Sequence, residues 1–207
     1  MAAMSTTERR VGRPRRSSRA SIEDAAAELF LEQGYAGTTV EQITQRAGVS
    51  RATFFNYFAA KSDVLWSSFD ESAGRLRDEL RAVGTDRPPI DGVRQALLVI
   101  AQDFPGESAP WAVAEAETMG TAEELGASGL PRFAAQAAVI AEFLRTRLSL
   151  SRDDVRPPAA AAAIVAATAA AAGVWVNAGA SRGSLASYVE AAITPVCAGF
   201  AAALDGA

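Results

Sequence analysis

The sequence predicts an all-α chain, and three observations carry that reading. Alanine is very abundant across the 207 residues while β-branched residues are scattered, which favours helix over strand. Near the front, Ile22, Ala25, Ala26, Leu29 and Phe30 fall at i, i+3, i+4, i+7 and i+8. At the end, Leu185, Val189, Ile193, Val196, Phe200 and Leu204 recur at steps of 4, 4, 3, 4 and 4, a 3.6-residue period. No strand alternation, internal repeat or Gly-rich phosphate loop interrupts this picture.

Taken in order, residues 1–17 are small, polar and Arg-rich without an apolar period, and read as a disordered arm. The first helix follows, with Gly34 to stop it. Thr39 and Gln42 have capping-box spacing for a short helix through Ala47. Gly48 breaks that helix, and Ser50 is placed to cap the next. Two short helices joined by a tight Gly-containing turn make a helix-turn-helix. A longer helix is expected from about Ser62 to Val83, with Leu65, Phe69, Leu76 and Leu80 on one side. The stretch "GTDRPP" (84–89) breaks it. Helical stretches near 89–103, 108–127 and 132–149 come next, separated by Pro105, Pro110 and Pro131. "SRDDVRPP" (151–158) is a further break before an Ala-rich helix to about Asn177. The domains divide as an arm (1–17), a helix-turn-helix unit (18–61) and a helical remainder (62–207).

Composition narrows the function. With no histidine, the commonest general base and metal ligand are both missing. Cys197 stands alone, so it has no partner for an internal disulfide, and a reducing cytoplasm is the expected compartment. No paired-carboxylate or metal-ligand spacing points to an enzyme, a metal or another cofactor. Residues 158–176 are uncharged and near membrane-spanning length, but most are Ala, which gains little from lipid. A tightly packed helix is the better reading, with no membrane partner. The net charge of −4 is uneven: residues 1–66 carry nine basic and seven acidic side chains, while the remainder carries eleven and seventeen. A basic front on an acidic body suggests a polyanion at the front.

The second helix of a helix-turn-helix enters the major groove with its N-terminal residues leading. Here it offers Arg51, Ala52, Thr53, Phe55 and Asn56, whereas Phe54 and Phe58 share an inward face with Val49. Arg51 suits guanine, Asn56 suits adenine, and Thr53 and Phe55 suit a thymine methyl. A solvated helix face explains these residues equally well when they are taken alone. Lys61 shifts the balance. It is the chain's single lysine and stands in the first turn of the next helix, where the macrodipole disfavours a cation. An external phosphate accounts for it, with Thr39, Ser50 and Tyr57 as further phosphate contacts. Six Arg lie within residues 9–19 without an acid. Of these, Arg13, Arg15 and Arg16 suit an arm in a narrow minor groove. A solvated tail is the alternative.

The stretch "GYAGTTVEQITQRAGVSRATFFNYFAAKSDVL" (34–65) resembles the DNA-binding domain of the TetR family of bacterial transcriptional regulators. The resemblance rests on Gly34-Tyr35, Thr38-Thr39-Val40, Ile43, Ala47-Gly48-Val49-Ser50, Thr53-Phe54-Phe55, Tyr57-Phe58 and Lys61. Thr44, Phe55 and Ala60 depart from the usual Ala, Tyr and Ser or Asn. "TFFNYFAAKSDVLWSSFD" is also similar to the mycofactocin-associated members of that family.

The resemblance implies a ligand-binding and dimerisation domain over 66–207, and a homodimer through helices at about 158–178 and 184–205. Ile164, Trp175, Val189, Ile193, Val196 and Phe200 are the expected interface; the alternative is that both helices complete a monomer core. Candidate pocket residues are Trp66, Phe69, Val99, Phe104 and Trp111, together with Met119, Phe133, Ile140 and Phe143, which favour an apolar or amphipathic small-molecule effector, although helical spacing suits most of them to a core as well. The mycofactocin likeness implies an acyl-CoA. The expected partners are thus double-stranded operator DNA, that effector and a second copy. The function expected is a ligand-responsive repressor, with an activator or a helical small-molecule binder without DNA binding as alternatives.

Overall fold

The computed structural model describes residues 18–104, 111–179 and 182–205, all helical or connecting, with no strand among them. The arm residues Arg13, Arg15 and Arg16 lie outside the described residues. Helix α1 spans Ser18–Gly37, α2 Val40–Ala47 and α3 Arg51–Tyr57; a 3-10 turn at Lys61–Trp66 leads into α4, Ser67–Ala82. The chain continues with α5 (Pro89–Gln102), α6 (Trp111–Ala114), α7 (Ala116–Met119), α8 (Ala122–Arg147), α9 (Arg156–Asn177) and α10 (Leu185–Asp205).

The head forms where local chemistry dictates. Thr39 accepts from the Gln42 amide at 3.2 Å, and the Gln42 side chain accepts from the Thr39 amide at 2.8 Å, so the expected capping box is complete. Gly48 closes α2 at φ 67, a left-handed conformation that costs a Cβ-bearing residue. Ser50 Oγ accepts from the Thr53 amide at 3.0 Å and starts α3. Ile22, Phe30, Ile43 and Phe54 are fully buried together beneath these caps.

Four element assignments differ from expectation. Gly34 does not end α1. It interrupts the helical geometry at φ 76, ψ 163, and one more turn follows to Gly37. The helix expected from Ser62 begins as a 3-10 turn and becomes α-helical only at Ser67. Pro131, expected as a break, lies inside the continuous α8. A mid-helix proline forfeits one backbone bond, but α8 is pinned on both sides of it. Ser128 Oγ accepts from Trp66 Nε1 at 2.8 Å, and Arg132 is held by Asp63 and Asp70. The stretch near 108–127 instead holds two single turns, α6 and α7, ahead of the start of α8.

The body core lies among α4, α5, α8, α9 and α10, with Leu76, Val93, Leu144, Ile164 and Ile193 buried together. The head core continues past residue 61 through Val64, Leu65 and Trp66, and takes in Ala112 and Met119. A cut at residue 61 therefore divides one continuous core.

Four of the expected dimer residues are corrected by this packing. Ile164, Trp175, Val189 and Ile193 are buried inside the protomer, and Val196 and Phe200 pack half-buried against the same core. The apolar stripe of α10 packs on α5 and α9 of its own chain, with Leu185, Val196 and Phe200 left partly exposed. Exposed on α9 are Ala162, Ala166, Ala170 and the 61% exposed Val174; α10 exposes Thr194 and Ala198, together with Glu190, which pairs with Arg94 of α5.

Candidate DNA-reading head and effector cavity

On α3, Arg51, Ala52, Phe55 and Asn56 are exposed and Thr53 is half-exposed, while Phe54 is fully buried and Phe58 nearly so. One helix face is anchored by the ring pair Phe54 and Phe58, 5.6 Å apart. The five candidate base-reading side chains are thereby brought together on the outer face. Thr39 and Ser50 are exposed at the N-termini of α2 and α3, and Tyr57, the last residue of α3, is 46% exposed. Arg51 is not a loose side chain. Its guanidinium pairs with Glu41 of α2 and lies over the Phe55 ring at 5.8 Å. Other front-end cations are also engaged. Arg46 bridges Glu28 and Glu32 at 3.1 and 2.8 Å, and Arg19 pairs with Glu23 at 2.9 Å while lying over Phe58.

Lys61 requires a correction. Its ammonium points inward, donating at 2.7 Å to both the Tyr35 and Thr38 carbonyls, and sits 3.9 Å from the centre of the Tyr35 ring. It therefore caps the carboxyl end of α1, where the macrodipole favours a cation. The expectation of an outward phosphate clamp considered only the dipole of the following helix. Asp63 supplies what Ala60 cannot, its carboxylate accepting from the Ala60 amide at 2.8 Å. Burial lowers the Lys61 pKa and raises the Tyr35 phenol to about 12.

A cavity of about 330 Å³ opens in the body. Four expected residues line it: Trp66, Phe69, Phe104 and Phe133. Trp66, Phe69 and Phe133 meet edge to face with ring centres 5.4 to 5.6 Å apart. The other five expected residues lie elsewhere. Val99 borders a separate recess of about 160 Å³ beside Gly84 and Arg87. Trp111 packs on Phe30 at 6.0 Å, and Met119 is buried in the head core. Ile140 is fully buried in the body core, and Phe143 lies under the Arg147 guanidinium.

Sequence reasoning missed the opposite wall. Thr168, Ala169, Ala172 and Gly173 of α9 line the cavity, and Trp175, assigned to the interface, closes it with Phe104 at 5.8 Å. The signal was present as missing volume: small residues at i, i+3 and i+4 opposite bulky aromatics leave a hollow that close packing would otherwise fill.

Trp66 joins the two sites. It ends the 3-10 turn that begins at Lys61, is buried in the head core and lines the cavity. A Cβ at Gly129 of α8 would stand 2.8 Å from its ring, so that close approach depends on glycine. Arg132, one turn further, lies over the same indole and bonds Asp63 at 2.6 Å and Asp70 at 3.0 Å.

The comparisons with known proteins agree with this geometry. The family model described as bacterial regulatory proteins, tetR family, matches residues 22–65, and the one described as the MftR C-terminal domain matches residues 87–201. A Mycobacterium tuberculosis protein named as the mycofactocin biosynthesis transcriptional regulator MftR is 30% identical over 150 residues, which is 72% of this chain and 75% of that protein. The fatty acid metabolism regulator protein of Bacillus subtilis is 33% identical over 87 residues, 40% of this chain and 42% of that protein. Among solved structures, Thermus thermophilus FadR, a TetR-family transcriptional repressor in complex with lauroyl-CoA, aligns with a TM-score of 0.53. It is 26% identical, over 86% of this chain and 92% of that one.

Proposed function

The chain belongs to the TetR family of bacterial transcriptional regulators, with a C-terminal domain of the MftR type, and from that premise we propose that it is a ligand-responsive repressor. Two copies bind a palindromic operator, and a small apolar or amphipathic effector in the body cavity releases them. An acyl-CoA is the candidate class, since the Thermus thermophilus relative is a repressor in complex with lauroyl-CoA. The observation that carries the reading is Trp66, one side chain that serves as both cavity wall and head core. A ligand pressing on it acts on the Lys61–Trp66 turn, and through that turn on the placement of α3.

In this reading Arg51, Asn56, Thr53, Ala52 and Phe55 meet base edges, and Thr39, Ser50 and Tyr57 meet phosphates. Arg13, Arg15 and Arg16 serve as a minor-groove arm. The second copy packs on the exposed small-residue faces of α9 and α10, whose Ala residues permit close helix approach. A two-fold interface there sets the separation of the two reading heads.

The test is a gel shift on the DNA upstream of the chain's own coding region, with and without acyl-CoA esters. Arg51→Ala or Asn56→Ala is expected to cost about 1–3 kcal/mol on the operator and much less on random DNA. Equal losses on both DNAs would demote these residues to backbone contacts.

A further inference from the structure

The chemistry of the cavity wall restricts what fills it, and the restriction rests on the effector reading above. None of its described lining residues is charged, so an ionised group drawn inside would lose its hydration without a counter-charge. Both indole N–H groups are committed, Trp66 to Ser128 Oγ at 2.8 Å and Trp175 to the Gly183 carbonyl at 2.9 Å. The two lining hydroxyls are committed as well. Ser72 donates to the Ser68 carbonyl at 2.9 Å and Thr168 to the Ile164 carbonyl at 2.8 Å. Gln136 of α8 is different: it lines the cavity, and its amide has no hydrogen-bond partner among the described residues. It stands one turn from Phe133, on the side of the aromatic trio.

We propose that Gln136 is the residue that recognises the ligand, and that the buried part of the ligand is an uncharged apolar chain bearing one carbonyl oxygen. The Gln136 amide N–H donates to that oxygen, while the chain lies between the aromatic trio and the small residues of α9. A ketone, aldehyde, ester or thioester satisfies this; a carboxylate does not. The cavity of about 330 Å³ has room for such a chain. Any charged portion of a larger molecule stays outside.

The full chain is titrated with 2-decanone, undecane delivered from cyclodextrin, and decanoate, following tryptophan fluorescence, because Trp66 and Trp175 both line the cavity. Wild type is expected to bind 2-decanone about tenfold more tightly than either other probe. Gln136→Leu should weaken 2-decanone about tenfold, the strength of one hydrogen bond, and leave undecane unchanged or tighter. Should Gln136→Leu lose its melting transition, Gln136→Asn decides by the same comparison, with a loss confined to the ketone. Decanoate binding as well as the ketone, equal losses for ketone and hydrocarbon, or no binding by any probe would each overturn the assignment. The operator gel shift with 2-decanone reads out separately. Binding without release of DNA would keep the ligand class and remove the effector role.

Discussion

In the head, large side chains such as Phe30, Ile43 and Phe54 fill a closed core and the helix ends are capped by neighbours a few residues away, whereas in the body α9 places Ala and Gly against aromatics and leaves about 330 Å³ open. In the proposed function the head has to hold one surface still, because a displaced recognition helix would misplace every base contact at once. The body is built with one wall short of volume, at the cost of packing contacts that a filled core would have. The two meet at Trp66, Arg132 and the Lys61–Trp66 turn, the few side chains through which, in the proposed function, a change in the loosely filled region would reach the tightly filled one.

The largest expected effect breaks the body. Ile193→Arg buries an unpaired charge inside the protomer and should cost on the order of 4 kcal/mol or more, seen as loss of the cooperative melting transition. Ala166→Arg, on the exposed face of α9, should keep that transition and yield a folded monomer by sedimentation. If Ile193→Arg gave a folded monomer instead, the stripe would belong to the subunit interface after all.

The junction comes next. Gly129→Ala forces a methyl against the Trp66 ring and should destabilise by about 1–3 kcal/mol, the usual range for overpacking. It should also alter effector-driven release of DNA more than Ala substitution at the exposed Gly126, where nothing stands within 4 Å of the added Cβ.

In the head, Lys61→Ala removes the donor to two carbonyls and should cost about 1–2 kcal/mol in thermal or urea melts. A melt indistinguishable from wild type would return the ammonium to an external role.

The smallest effect is on pH dependence. Tyr35 has its pKa raised to about 12 by burial, with Glu124 adding to the shift. A raised folded value means that the neutral phenol stabilises the fold fully below the unfolded value of about 10. That contribution is lost as pH climbs toward 12. Lys61 is lowered by burial and works in the opposite sense, so the informative comparison is wild type against Tyr35→Phe. The phenylalanine variant should lose less stability between pH 10 and 12, and parallel curves would mean that the phenol is hydrated in the fold.

The head was legible because its decisive interactions are local. Thr39 with Gln42, Gly48, and Ser50 with Thr53 act within three residues, and the spacing of Phe54 and Phe58 sets the buried face that turns Arg51 and Asn56 outward. The all-α class and the long helices at 156–177 and 185–205 were equally plain from period and composition.

What only the tertiary structure decided is which partner each face meets. The α10 stripe had the right period but no label telling α5 of the same chain from a second copy. Pro131 reads as a stop until Trp66, Asp63 and Asp70 are seen holding α8 on either side of it. The dipole of the following helix disfavours a cation at Lys61, while its ammonium answers carbonyls 23 and 26 residues earlier. A cavity is a difference between volumes contributed by distant segments, so aromatics could be nominated from the sequence but the small residues opposite them could not. The physical reason is common to all four. Caps and periods are settled by energies within a turn or two of helix, whereas burial, pairing and empty space depend on segments that only folding brings together.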